Sequence, residues 1–118
     1  MSAKRVDEFV AFRKRMNERI LEHDNQVVRR FFALDTQTYK GGALPAQTKE
    51  MLGLVASLVL RCDDCIGYHI AECRNAGVTR DVVGERFSVC RCGGGSIVIP
   101  HLRCAVDFLD ELENGAKV

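Results

Sequence analysis

Four residues near the middle of the chain have the types and spacing of a thiol redox site. Cys62 and Cys65 are separated by two residues, His69 follows four positions after Cys65, and Glu50 precedes Cys62 by twelve. A dithiol closes to a disulfide and reopens by exchange. An imidazole moves protons near neutral pH, and a carboxylate beside it fixes its orientation. The stretch that carries them reads EMLGLVASLVLRCDDCIGYHIAEC, and the run between Glu50 and Cys62 is almost wholly apolar.

The elements that must position these groups are helices. On a helical wheel with Cys62 as zero, Cys65 falls at about −60°, His69 at about −20° and Cys73 at about +20°, one face of one helix. A Cys-x-x-Cys at a helix start is also where free N–H groups stabilise a thiolate. Asp63 and Asp64 oppose this, since nearby negative charge raises a thiol pKa. On a single straight helix, Glu50 would lie about 18 Å from Cys62 and on another face. It joins the site only if the chain turns near Arg61 and the two flanking helices pack antiparallel. Glu50 and His69 then differ by roughly one turn, within reach of each other or of a bridging water. That order makes Cys65 the base-linked thiol and Cys62, nearest the turn, the more exposed one. The opposite order, with the first cysteine attacking, stays open.

The rest of the chain reads as helix too. Ser2 is a candidate cap for a first helix ending near His23, with Val6, Phe9, Val10, Met16, Ile20 and Leu21 at three- and four-residue spacing. Asp24 or Asn25 caps a second, whose apolar face is Val27, Val28, Phe31, Phe32 and Leu34 and which fades into Asp35–Lys40. Gly41-Gly42 is a break. Pro45 suits the first turn of a third helix that is apolar nearly all round, hence central or facing a partner subunit. A fourth starts at Cys62 or Asp63, with Asp63 a plausible N-cap, and stops at Gly77. Thr79 caps a fifth, through about Cys92, and Gly93–Gly95 breaks it. A last helix begins near Ser96 with Pro100 in its first turns and a stripe of Val98, Leu102, Val106, Leu109 and Leu112. The expectation is an all-α fold of about six helices, forming one domain over residues 1–118.

Composition narrows the function. With 118 residues, 47% apolar and 28% charged, the chain is of a size and make-up to bury a core. A formal net charge of +1 argues against a dedicated nucleic-acid or anionic-membrane surface. The N-terminus MSAKRVDEF has no apolar h-region, and the longest apolar run, Met51–Leu60, is too short to span a bilayer. A cytoplasmic protein with no membrane partner is expected, and its six cysteines are then thiols, redox pairs or ligands rather than structural bridges.

The pattern Glu50-x11-Cys62-x2-Cys65-x3-His69 resembles the signature of alkylhydroperoxidase D-like proteins in the carboxymuconolactone decarboxylase family. The phrases CDDCIGYH, LPAQTKEMLGLVAS and GGGSIVIPHLRCAVDFLDEL are similar to small single-domain members. The resemblance implies an all-helical fold that oligomerises, commonly as trimers or hexamers. It implies reduction of a small-molecule peroxide by the dithiol, with Glu50 and His69 as proton relay. Cys65 attacks, Cys62 resolves the sulfenic acid to a disulfide, and an external dithiol restores the pair, with no cofactor besides that disulfide. The decarboxylases proper lack the Cys-x-x-Cys, so its presence argues against lactone decarboxylation. Two departures stand out. Asp63-Asp64 occupies the place where well-studied relatives have a histidine between the cysteines. Arg86 and Arg91 interrupt a helix that is usually small and apolar there, and need partners or water.

Blander readings accompany these. Cys62 and Cys65 make half of a zinc site if Cys90 and Cys92 complete it, although Cys-x-Cys on a helix is poor geometry. The dithiol also suits an oligomeric scaffold that senses redox state without turnover. Cys73 reads as a small core residue, and His101 and Cys104, on a face continued by Phe108, as core packing or a subunit contact.

Overall fold

The computed structural model describes residues 4–118; the proposed cap Ser2 lies outside them. Six α-helices and one 3-10 turn follow in order: α1 (Lys4–Glu22), α2 (Gln26–Thr38), α3 (Ala46–Val59), α4 (Asp63–Asn75), α5 (Arg80–Gly94), the turn Ser96–Val98, and α6 (Ile99–Glu113). No strand occurs among the described residues. The fold is all-α, as the periodicities require.

The boundaries follow local chemistry. The Asn25 side chain accepts from the Val27 and Val28 amides and starts α2. Arg61, at a φ of 59°, makes the left-handed turn that separates α3 from α4. At the other glycine break, α5 runs on through Gly94, and only Gly95, at a φ of 77°, ends it. Gly93 and Gly94 keep helical dihedrals there and lie against Val59 of α3, so the break falls later than the glycine run suggests. The side chain of Arg86 is half-buried on α5; Arg91 contributes a helical backbone there, its side chain lying outside the description.

The core joins Leu54 and Leu58 of α3, Ile66, Ile70 and Cys73 of α4, Val83 and Cys90 of α5, and Phe108, Leu109 and Leu112 of α6. Val6 anchors α1 onto α6. Its amide donates to Glu111 Oε1 at 2.9 Å and the Arg5 amide to Oε2 at 3.3 Å, so a buried carboxylate satisfies the free N–H groups of the α1 start. The consequence for the site is that α4 is packed between α3 on one side and α6 on the other.

Helix α2 departs from expectation. None of its residues is buried. Val28 and Phe32 turn partly inward, whereas Val27, Phe31 and Leu34 form a second stripe facing outward, with Phe31 69% exposed. Five apolar residues therefore do not make one face, because a single chain supplies a layer on only one side of α2. The radius of gyration, 14.7 Å, exceeds the roughly 13.5 Å of a compact chain of this length.

Candidate active site

The turn at Arg61 sets α4 back against α3, and this brings together residues nineteen apart in sequence. His69 Nδ1 lies 2.8 Å from Glu50 Oε2, both side chains buried. The contact is direct. Burial pushes the Glu50 carboxyl above its ordinary 4.5, against the pull of the adjacent imidazole. Glu50 therefore holds its proton more readily than an exposed carboxyl does, and its contact fixes the orientation of the His69 ring.

Close approach of the two helices depends on a residue that the motif does not include. Gly53, one turn past Glu50, packs against the flat of the imidazole. A Cβ built there would stand 2.5 Å from His69 Cε1, 2.7 Å from Nε2 and 2.8 Å from Nδ1. Only hydrogen at that position leaves room for the ring. On the ring's other sides, Tyr39 and Tyr68 lie with centroids at 5.2 and 5.1 Å.

The dithiol sits at the start of α4. Cys62 is the N-cap, its sulfur accepting from the Cys65 amide at 3.3 Å, and the two sulfurs share a hydrogen bond at 2.7 Å. A disulfide of about 2.05 Å needs little further movement. Two expectations are corrected here. Cys62, not Asp63, caps α4, because a sulfur at the N-cap reaches the N3 amide. Cys65, not Cys62, is the exposed sulfur: the turn tucks Cys62 under the helix start, leaving it half-buried, while Cys65 faces outward.

Cys65 and His69 open onto one cavity of about 530 Å³ between α1, α2 and α4, walled by Phe31, Phe32 and Tyr68. Arg13 of α1 reaches into it, its guanidinium 4.2 Å from the Tyr68 ring centroid. The Cys65 thiol is pushed up to about 11, first by its hydrogen bond with Cys62, then by burial and by the charges of Cys62 and Asp64, with Arg13 pulling the other way. At neutral pH Cys65 is thus a thiol that needs a base.

Other residues fall as follows. Cys73 is fully buried and pushed up to about 12 by desolvation, a core thiol. Cys90 is buried, its sulfur 3.0 Å from the Phe87 carbonyl, and Cys92 is exposed. Among the described residues, no group of three or more His, Cys, Asp or Glu converges to hold a metal. No helix among them is long and apolar enough to cross a membrane. Phe108 packs in the core, edge-on to Phe9 at 5.3 Å between centroids. His101 does not share that role: its Nδ1 meets Asp63 Oδ1 at 2.7 Å, inside the Cys-x-x-Cys.

A family profile described as the carboxymuconolactone decarboxylase family matches residues 25–107. The chain belongs to this family. Among solved structures, TM1620 of Thermotoga maritima is 48% identical, with a TM-score of 0.87 over 91% of this chain and 94% of that one. A second structure of it, at 47% identity and a TM-score of 0.85 over 91% of each chain, names a family member with a possible part in the antioxidative response. A family protein of Legionella pneumophila shares the fold at 22% identity and a TM-score of 0.77, over 89% of this chain and 96% of that one. A protein of the cox locus of Paracoccus denitrificans is 28% identical over 83 residues, 70% of this chain and 75% of its own length.

Sequence reasoning missed Gly53, Arg13, the two tyrosines and the His101–Asp63 contact. For Gly53 a signal existed: a glycine inside an apolar helix, three residues after Glu50 and on its face, marks a close approach. Arg13 carried none, because it sits among other charges on α1.

Proposed function

We propose that the protein is a thiol-dependent peroxide reductase with Cys65 as the attacking sulfur. The observation that carries this reading is the exposed Cys65 on the same cavity as a His69 held by buried Glu50. A peroxide entering the cavity meets Cys65 first. His69 takes the thiol proton, and the Cys65 sulfur attacks one peroxide oxygen. An S–O bond forms, the O–O bond breaks, and the departing alkoxide takes the proton back from His69 to leave as an alcohol. Cys62 then attacks the Cys65 sulfenic acid; the S–S bond forms, the S–O bond breaks, and hydroxide leaves as water with the Cys62 proton. An external dithiol supplies the two electrons that reopen the disulfide.

The outward stripe of α2, with exposed Leu52 in the middle of α3 and Leu60 just past its end, supports a homo-oligomer, since exposed apolar stripes are normally covered. The reaction is tested by mass spectrometry of trapped thiols after limiting organic hydroperoxide. A Cys62–Cys65 disulfide in the parent and a Cys65 sulfenic acid trapped in Cys62→Ser are expected. Parent-like peroxide consumption by Cys65→Ser and His69→Ala would sink the reading.

A further inference from the structure

The His101–Asp63 contact is absorbed neither by the core nor by the relay. His101 stands in the first turn of α6 with its side chain about three-quarters buried, whereas Asp63 is 55% exposed. Asp63 is the first residue of α4 and the neighbour of Cys62. The helix that carries the dithiol thus meets two imidazole–carboxylate pairs: His69–Glu50, one turn beyond Cys65, and His101–Asp63, whose carboxylate belongs to the residue that follows Cys62. A carboxylate next to a thiol disfavours the thiolate; a hydrogen-bonded or cationic imidazole on that carboxylate offsets the effect.

We propose that His101 is a positioning residue for Cys62, which by engaging the Asp63 carboxylate keeps Cys62 reactive as the resolving thiol. The role in resolution rests on the peroxide-reductase reading above; the effect on Cys62 reactivity does not. The groove that Asp63 lines also holds Asp64 of α4, Glu8 of α1 and Cys104 of α6, none of them a cation, and Arg61, exposed two residues before Asp63, is the cation nearest in sequence. Arg5 shares that surface, but its guanidinium is held by Asp107 at 2.8 Å.

The test uses the full chain with Cys65→Ser, so that Cys62 alone of the pair reports. Alkylation of Cys62 by iodoacetamide is followed against pH, peptide by peptide, by mass spectrometry. His101→Gln is expected to move the pH–rate curve up by about 0.5 to 1 unit, slowing alkylation at pH 7.5 by about three- to tenfold. Adding Asp63→Asn to that variant returns the curve to the parent position. Asp63→Asn alone leaves it in place or moves it down. An unmoved curve in His101→Gln overturns the proposal. So does a double variant as slow as His101→Gln, which would make the role purely structural. If His101→Gln does not fold by circular dichroism, Asp63→Asn alone decides: an upward shift refutes the idea. Alkylation needs no peroxide. Absent peroxide turnover with the expected shifts fails only the activity reading, and normal turnover with unmoved curves fails only this one.

Discussion

Replacing Gly53 by alanine adds one methyl group where the His69 ring already stands. The new carbon would lie 2.5 Å from Cε1 and under 3 Å from both ring nitrogens. Relief to an ordinary contact of about 3.5 Å requires a shift of about 1 Å. A shift of that size stretches the 2.8 Å contact between His69 and Glu50 beyond hydrogen-bonding distance. Losing a buried hydrogen bond to a charged group costs about 1.5–3 kcal/mol, and alanine over glycine in a helix returns about 1 kcal/mol. The net loss is about 0.5–2 kcal/mol, a fall of about 2–10 °C in Tm for a chain of this size. The effect on chemistry is larger: a base displaced by about 1 Å loses on the order of a hundredfold in rate. Peroxide consumption with a saturating dithiol reads the rate, and scanning calorimetry the stability. Gly84→Ala is the control, for it lies in α5 with nothing within 4 Å of a new Cβ, and should raise stability by about 0.5–1 kcal/mol at unchanged rate. Should Gly53→Ala turn over within threefold of the parent, the imidazole is not the positioned base.

Because Cys65 is raised to about 11, its alkylation in His69→Ala should keep accelerating with pH through 9 and 10, as the thiolate appears late; a plateau below pH 9 contradicts this. Glu50 has a raised pKa, so the folded state prefers its protonated form and loses stability as the pH rises through that titration. Glu50→Gln should accordingly be at least as stable as the parent at pH 8 by thermal melting, yet slower by at least tenfold in turnover, and a stability loss with full activity would reverse the assignment. Cys73 should resist alkylation until denaturant unfolds the chain, whereas Cys65 and Cys92 react in the native state, as peptide mass mapping will read. Val27→Asp with Leu34→Asp should lower the mass of the proposed homo-oligomer in light scattering while leaving the helical content by circular dichroism intact; an unchanged mass removes the outward stripe of α2 from the proposed interface.

How far each feature could be read ahead depended on whether its cause was local. The order of helices and a cap at Asp24 or Asn25, which the structure resolves to Asn25, follow from periodicity and from side chains acting within a few residues of themselves, whereas the turn near Arg61 entered as a condition that the left-handed Arg61 meets. The Glu50–His69 pairing was legible because an antiparallel hairpin has simple arithmetic: once the turn is placed at Arg61, Glu50 and His69 lie at distances from it that differ by roughly one helical turn, within reach of two side chains. The two fates of the α2 apolar residues were not legible, since which side of a helix finds a partner is not written in its own period.

The same division runs through the site. The sequence by itself determined its chemical parts, namely a dithiol at a helix start, an imidazole on the same helix and a carboxylate on the preceding one, because spacing along a helix is fixed by its pitch. Only the tertiary structure decided which sulfur faces out, why a glycine must lie beneath His69, and that His101 of α6 reaches Asp63. Those depend on how closely two helices approach and at what rotation, which is set by the packing of the whole core rather than by any stretch of it.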